Sequence, residues 1–219
     1  MRGCFGTGEG GPEASLVTCV FGSVPAPFAT SGGLHLIKGN LGRGMSKISA
    51  VDRKHQVVEA PAMVFDNQDH VVEAFKRGEM NKDVIVVLRF QGPKSNGMPE
   101  LHKLTPPVGV LQDKGFKVAL VTDGRMSGAS GKVPSAIHLC PECADGSILT
   151  KVRDGDMIRL DTQRGELNVL VDEEELNSRM ACVLANTEHH YGMGRELFDS
   201  FRQGVSSAET GAINMFNVE

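Results

Sequence analysis

The chain has 219 residues, of which 40% are hydrophobic and 23% are charged, a composition typical of a globular protein with one substantial core. Its net charge of −4 gives no electrostatic reason to bind nucleic acid or an anionic membrane, and no apolar run approaches the ~20 residues needed to cross a bilayer. Five cysteines, an odd number, and an N-terminus without a secretory apolar region predict a reduced, cytoplasmic location.

The first thirty residues differ in character from the rest of the chain. Residues 1–12 are rich in glycine, and residues 14–30 contain Pro25 and Pro27. We therefore expect residues 1–30 to form an N-terminal tail and linker, and residues 31–219 to form one domain.

The first part of that domain predicts short strands. The apolar stretch 34–37 and the alternating stretch 45–49 flank the turn-rich residues 39–44. Residues 57–65 form a further strand, and Pro61 within it predicts an edge position or a bend, because proline cannot donate to the ladder.

The middle of the domain alternates helices with buried strands. Asn67 caps a helix whose apolar residues lie on one face and which ends at Gly78. The stretches 84–88 and 118–121 are continuously apolar and predict strands buried on both faces. A short helix begins at Pro106, between these two strands, and Gly115 ends it.

The last part predicts a hairpin and two helices. Residues 157–160 and 167–171 are joined by a turn at 162–165, Asp172 caps a helix rich in glutamate, and a helix is expected over 194–203. Together these elements predict an α/β domain with a mixed, barrel-like sheet and flanking helices.

The strongest local signal is the loop that follows the strand 118–121. Residues 122–132 contain three glycines, two serines, Arg125 and Lys132. Glycines allow a ligand to approach the backbone, and a serine can become a base or a nucleophile when it is activated. The alternative is an ordinary surface loop. Neither a phosphate-binding P-loop nor a dinucleotide-binding glycine motif is present, since Met126 stands where the P-loop requires glycine.

A second polar loop, residues 91–103, also follows a buried strand. It contains the carboxylate of Glu100 and the cationic groups of Lys94, His102 and Lys103, which could bind a metal or an acidic sugar. The alternative is a solvated turn. Because ligands bind beyond the carboxyl ends of strands in α/β sheets, two such loops indicate a site more strongly than either alone.

Cys140 and Cys143 form a C-x-x-C pair, a spacing found in zinc, iron–sulfur and redox sites. A zinc site needs a second pair, and the other cysteines are scattered singly. We therefore interpret both residues as packing residues. The pair His189-His190 is interpreted in the same way, as structural or exposed.

Several ordered motifs together resemble the dihydroxy-acid and sugar-acid dehydratase family, over residues 11–211. Three of them are found across the family, and three more are similar to its 6-phosphogluconate dehydratase branch. The family motifs are Ser31-Gly32-Gly33-Leu34 with Lys38-Gly39-Asn40-Leu41-Gly42, Gly92-Pro93-Lys94 with Gly97-Met98-Pro99-Glu100, and Thr122-Asp123-Gly124-Arg125-Met126-Ser127-Gly128. The branch motifs are Glu100-Leu101-His102-Lys103-Leu104-Thr105-Pro106, Ser130-Gly131-Lys132-Val133-Pro134, and Tyr191-Gly192-Met193-Gly194-Arg195-Glu196-Leu197-Phe198.

The resemblance implies that this chain is the C-terminal swivelling β/β/α domain of a longer enzyme. That enzyme would be a homodimer whose N-terminal domain holds a [4Fe-4S] cluster. The implied reaction removes water from 6-phosphogluconate, a phosphorylated sugar acid, and yields 2-keto-3-deoxy-6-phosphogluconate in the Entner–Doudoroff pathway. Two alternatives remain open: a catalytically silent fragment or binding module, and a dihydroxy-acid dehydratase of branched-chain amino-acid synthesis.

The resemblance also assigns roles to residues. Ser127 matches the family's catalytic serine, which removes the C2 proton as an alkoxide, and Glu100 matches a carboxylate that helps to bind Mg²⁺ in some relatives. The cations and the second serine of the two loops are expected to bind substrate. They are Arg125, Ser130, Lys132, His102, Lys103 and Lys94.

Overall fold

The structure, a computed structural model, describes residues 26, 32–126, 131–184, 192 and 194–214. The chain divides into two units, Met1–Gly32 and Gly33–Glu219, and all the elements described below belong to the second. Apart from residue 26, the tail and linker predicted at 1–30 lie outside the described residues.

In its described residues, the second unit contains eight strands and five short α-helices. The strands are β1 (Leu34–Gly39), β2 (Gly42–Lys47), β3 (Val57–Phe65), β4 (Val84–Leu88), β5 (Val118–Thr122), β6 (Ser135–Cys140), β7 (Met157–Asp161) and β8 (Glu166–Val169). The helices are α1 (Gln68–Lys76), α2 (Pro93–Asn96), α3 (Thr105–Asp113), α4 (Glu173–Ser178) and α5 (Asp199–Gly204).

The strands close into a barrel in the order β1-β2-β6-β5-β4-β3-β7-β8. Strands β3, β4, β5 and β6 run parallel to one another, and the remaining neighbours are antiparallel except for one parallel pair between β1 and β8. The predicted α/β domain with a barrel-like mixed sheet is therefore confirmed.

The strands β4 and β5 are buried on both faces, as their continuous apolar sequences predict. Ile85 and Ala119 belong to the core cluster inside the barrel, together with residues of β7 and β8. Val86 and Leu120 point the other way and pack in a second cluster against α1 and α3. This alternation explains why neither strand has a polar face.

Pro61 does not place β3 at an edge, because β3 has a neighbour on each side. Residues 57–61 pair antiparallel with β7, and residues 62–65 pair parallel with β4. Pro61 lies where β3 changes partner, and the backbone N–H of Ala62 donates to the carbonyl of Asp156 at 2.7 Å. Pro61, which has no N–H to donate, therefore lies where the pairing with β7 ends and the pairing with β4 begins.

The predicted helix boundaries agree with the capping chemistry. The side chain of Asn67 accepts the N–H of Asp69 at the start of α1, and that of Asp172 accepts the N–H of Glu174 at the start of α4. Helix α3 ends just before Gly115, whose φ of +95° suits glycine. The hairpin of β7 and β8 and the C-terminal helix α5, preceded by a 3-10 turn at Arg195–Phe198, are also present.

Among the described strands and α-helices, β6 and α2 were not predicted. The stretch Ser135–Cys140 contains serine, histidine and cysteine as well as three apolar residues, so it lacks the continuous apolar run that predicts β4 and β5. Helix α2 is a single turn and carries too few residues to show a period. Within the described ranges, no helix is long and apolar enough to cross a membrane.

Candidate functional site

A cleft of about 1190 Å³ opens where β3, β4 and β5 end. These strands are parallel, so the loops that follow them meet at one edge of the barrel. The C-terminal segment 195–214 forms the opposite wall. The barrel edge contributes Asp66, Gln91 and Arg125 to the lining, and the C-terminal segment contributes Arg195, Phe198 and Arg202.

Arg125 and Glu100 connect the two polar loops that the sequence singled out. The Nη1 of Arg125 donates to Oε2 of Glu100 at 3.0 Å, and its Nε donates to the carbonyl of Met98 at 2.7 Å. The backbones of residues 100 and 125 also form a parallel β-bridge. The structure thus brings together the loop after β4 and the loop after β5, as the sequence predicts.

Asp123 lies at the start of the loop after β5 and is fully buried. Its Oδ1 accepts the N–H of Gln91 at 2.9 Å, and its Oδ2 accepts the N–H of Cys143 at 2.9 Å. Burial raises the pKa of the Asp123 carboxyl, and the hydrogen bonds from the two backbone N–H groups only partly oppose that shift. Asp123 therefore holds loops together from within the protein and does not face the cleft.

Glu142 plays a similar part for helix α2. Its buried carboxylate accepts the backbone N–H groups of Lys94 and Ser95 at 3.0 to 3.1 Å, and the hydroxyl of Ser95 at 3.2 Å. A Cβ at Gly92 would lie 2.3 Å from Oε2 of Glu142, so only glycine fits there. Burial raises the pKa of Glu142.

Backbone strain is concentrated at the same edge. Among the described residues, four that are not glycine have φ between +50° and +58°: Phe90, Met98, His138 and Ala212. Met98 and Ala212 line the cleft, Phe90 precedes Gln91, and the N–H of His138 donates to the carbonyl of Gly124 at 2.9 Å. Such conformations cost free energy and tend to cluster at functional sites.

Cys140 and Cys143 do not form a reactive pair in this setting. The peptide bond between Cys140 and Pro141 is cis. Burial raises the thiol pKa of Cys140, and burial together with the nearby Asp123 raises that of Cys143. Both shifts disfavour the thiolate that a metal or a redox reaction requires. The interpretation of Cys143 as a packing residue agrees with its place in the core cluster.

The other predicted cations, Lys94, His102, Lys103 and Lys132, are not among the residues that line the cleft. The ammonium of Lys94 pairs with Asp145 at 2.8 Å, and that of Lys103 pairs with Asp69 at 3.1 Å. His102 is exposed in a 3-10 turn before α3. Lys132 is exposed, and its carbonyl accepts the side-chain N–H of Gln112 at 3.0 Å.

Ser127 and Ser130 lie outside the described residues, as does the pair His189-His190. Met126 and Gly131, which flank the serine loop, are described. The structure therefore leaves the proposed catalytic serine as a prediction, two residues beyond Arg125.

The described residues do not fit an iron–sulfur cluster or a self-contained Mg²⁺ site. In the described part of the chain, no three His, Cys, Asp or Glu side chains come together to hold a metal ion. The carboxylate of Glu100 is engaged by the guanidinium of Arg125, a positive charge that disfavours a cation at the same oxygen. Any metal at Glu100 would need ligands from elsewhere.

Several polar residues of the site were not predicted as individual candidates, and three of them are carboxylates. Asp66 lines the cleft directly after β3, whereas Asp123 and Glu142 are buried behind it. The available signal was position, because Asp66 comes directly after the predicted strand 57–65 and Asp123 comes two residues after the predicted strand 118–121. Nothing in the sequence distinguished a carboxylate that faces a cleft from one that is buried.

Comparisons with known proteins identify the family to which the chain belongs. Residues 19–212 match the family described as dihydroxy-acid/6-phosphogluconate dehydratase C-terminal, and the chain belongs to that family.

Among individual relatives, the phosphogluconate dehydratase of Pseudomonas aeruginosa is 56% identical over 92% of the present chain. The phosphogluconate dehydratase of Zymomonas mobilis is 58% identical over 88% of the present chain. The dihydroxy-acid dehydratase of Acetivibrio thermocellus is 35% identical over 89% of the present chain. The chain spans about a third of the length of each of these relatives (33%, 32% and 35%).

Proposed function

We propose that this chain is the C-terminal part of a hydro-lyase that dehydrates 6-phosphogluconate to 2-keto-3-deoxy-6-phosphogluconate in the Entner–Doudoroff pathway. One observation carries the choice of substrate: identity is 56% to a phosphogluconate dehydratase and 35% to a dihydroxy-acid dehydratase. In this proposal the complete enzyme is a cytoplasmic homodimer, and the chain swivels as a unit against an N-terminal domain.

The reaction sets two chemical demands. A weakly acidic C–H at C2 must lose its proton, and hydroxide must leave C3. We assign the first task to Ser127, acting as an alkoxide. A serine is far too weak a base in water, so positive charge nearby has to lower its pKa. Arg125 is the described cation nearest to Ser127 in sequence and lines the cleft, which supports this assignment.

Substrate binding is assigned to cations and hydroxyls of the two polar loops. A 6-phosphate carries about two negative charges near neutral pH and is best held by charge-assisted hydrogen bonds. The ammonium groups of Lys94 and Lys103 each pair with an aspartate, so a phosphate would have to displace these partners. Lys132 is exposed and is therefore the cation from which we expect the largest contribution. Arg125, which would have to leave Glu100 in the same way, His102 and Ser130 are further contacts.

The proposal includes a [4Fe-4S] cluster with ligands in the N-terminal domain of the complete enzyme, where it would supply Lewis-acid chemistry. Mg²⁺ at Glu100 is proposed only with additional ligands from outside the described residues, since the Arg125 contact disfavours a cation bound by Glu100 alone.

The test is an assay of the complete protein, purified with its cluster reconstituted, against 6-phosphogluconate and a branched-chain 2,3-dihydroxy acid. We expect kcat/KM for 6-phosphogluconate to be higher by at least about 100-fold, a difference of roughly 2.7 kcal/mol in transition-state binding. Equal or reversed values would assign the chain to dihydroxy-acid dehydration, and no turnover of either acid would favour a silent fragment or binding module.

A further inference from the structure

Asp123 is a buried charged group for which the proposed chemistry has no direct use. Its two carboxylate oxygens accept one backbone N–H each, from Gln91 and from Cys143, both at 2.9 Å. Gln91 lies beyond the end of β4 and Cys143 beyond the end of β6, the two strands that flank β5 in the barrel. One carboxylate therefore fixes the loops of three neighbouring strands relative to one another.

The backbone next to Asp123 is held equally closely. The N–H of Gly124 donates to the hydroxyl of Thr122 at 2.9 Å, and its carbonyl accepts the N–H of His138 at 2.9 Å. A Cβ at Gly124 would lie 2.6 Å from the Cβ of Gln91, so the two loops are in direct contact. These contacts restrict the backbone conformation of residues 122–124.

This fixed course determines where the next side chain enters the cleft. Arg125 follows Gly124 directly, lines the cleft and pairs with Glu100 of the neighbouring loop. Gln91, whose N–H is held by Asp123, lines the same cleft. A substitution of Asp123 would therefore displace two residues that line the cleft, Gln91 and Arg125.

We propose that Asp123 is a positioning residue, which fixes Gln91 and Arg125 against each other in the geometry that the reaction needs. The inference rests on the proposed function, because Arg125 precedes the assigned base, Ser127, by two residues. Asp123 itself is fully buried and touches no substrate in this account.

The substitution Asp123→Asn tests whether the two hydrogen bonds accepted by the carboxylate matter, or only the volume of the side chain. Asparagine has nearly the volume of aspartate, but one of its two terminal groups is an NH₂ donor. That NH₂ must face the N–H of either Gln91 or Cys143, where no hydrogen bond can form.

The chain offers a matched control, Asp161→Asn. Asp161 is also buried at the end of a strand, and its Oδ1 accepts the backbone N–H groups of Gln163 and Arg164 at 3.1 and 3.0 Å. It lies at the end of β7 and pairs with Val57 at the start of β3, so it is at the opposite end of the barrel from the cleft.

The test compares both variants with wild type in the complete protein, by amide hydrogen exchange and by steady-state kinetics. In Asp123→Asn we expect peptides that cover residues 91–100 to exchange about tenfold faster or more, and kcat/KM to fall about tenfold or more, because small displacements of catalytic groups are costly. In Asp161→Asn we expect neither change.

Unchanged exchange over residues 91–100 in Asp123→Asn would overturn the proposal. The proposal would also be overturned if Asp123→Asn exchanged faster over residues 91–100 but had the same kcat/KM as Asp161→Asn, because Asp123 would then have a structural role only. A Ser127→Ala variant that keeps wild-type turnover would instead contradict the proposed function. If the wild type dehydrated neither acid, the exchange measurement alone would decide whether Asp123 fixes the loops.

Discussion

Cations in the two polar loops differ in what their side chains contact, and this difference separates their expected roles. Lys103 pairs with Asp69 and Lys94 with Asp145, whereas Lys132 is exposed next to the serine loop. The sequence predicted all three as substrate ligands, because a cation near a glycine-rich loop suits a phosphate. It could not predict the two pairings, since their acidic partners lie far away along the chain.

Lys132→Ala should therefore weaken binding of the phosphorylated substrate selectively. Loss of one charge-assisted contact is worth about 1.5–3 kcal/mol, which corresponds to a rise in KM for 6-phosphogluconate of roughly 10- to 150-fold. The KM for unphosphorylated gluconate should change little. Lys114→Ala, at the far end of α3 where the ammonium contacts Asn81, is the control. An equal rise in KM for both acids would mean that another group holds the phosphate.

Glu142 gives a stability prediction with a defined dependence on pH. Burial raises its pKa, so the folded state binds the proton more tightly than the unfolded state. The contribution of Glu142 to stability is then fully present below the pKa of the unfolded state, and is lost as pH rises through the raised pKa of the folded state. Glu142→Gln carries no titrating group there and does not undergo this loss.

The free energy of unfolding of Glu142→Gln should therefore improve relative to wild type as pH rises from about 4 to 8. Urea unfolding of the 219-residue chain, followed by circular dichroism across that range, measures this difference. A difference between variant and wild type that is constant with pH, or that grows less favourable to the variant, would contradict the raised pKa.

At the level of elements, local sequence predicted strands and helices wherever one pattern dominated. The fully apolar β4 and β5, the Asn67 cap of α1 and the hairpin of β7 and β8 are examples. Strand β6 and helix α2 were missed, because tertiary contacts define them. Helix α2 has no side-chain cap of its own, and the carboxylate of Glu142, almost fifty residues away, accepts its first N–H groups.

Gly92→Ala tests how tightly α2 is held on Glu142. The new methyl group would lie 2.3 Å from Oε2 of Glu142 and must displace it. We expect a loss of about 1–3 kcal/mol in the free energy of unfolding, the usual cost of overpacking. Gly109→Ala in α3, where a Cβ meets nothing within 4 Å, should be neutral or stabilising. A Gly92→Ala variant as stable as wild type would show that α2 moves freely against Glu142.

At the scale of the whole molecule, the barrel was predictable only as a class. Mixed strands, a hairpin and flanking helices indicate a barrel-like sheet, but the strand order depends on pairings such as β2 with β6, which are almost a hundred residues apart. The cleft depends further on the segment 195–214 folding back over the barrel edge, which no local pattern predicts.

The chain also spans only about a third of its relatives, and this leads to a prediction about cofactor content. The isolated 219-residue chain should bind no iron–sulfur cluster and show no dehydratase activity, because a cluster normally needs three or four thiolates and both thiols of the C-x-x-C pair have raised pKa values. Anaerobic reconstitution with absorbance and iron analysis is the measurement. A stable stoichiometric cluster in this chain would contradict the assignment of the ligands to another domain.

The most direct test of the whole account is the turnover of 6-phosphogluconate by the complete enzyme carrying Ser127→Ala. Removing a group that transfers a proton in the transition state costs on the order of 10²–10⁴ in rate, so kcat should fall by at least about 100-fold while cluster content and melting temperature match wild type. Ser178→Ala, in the exposed turn at the end of α4, should keep wild-type turnover. A Ser127→Ala enzyme that retains more than about a tenth of wild-type kcat, well outside that range, would contradict the claim that Ser127 is the base.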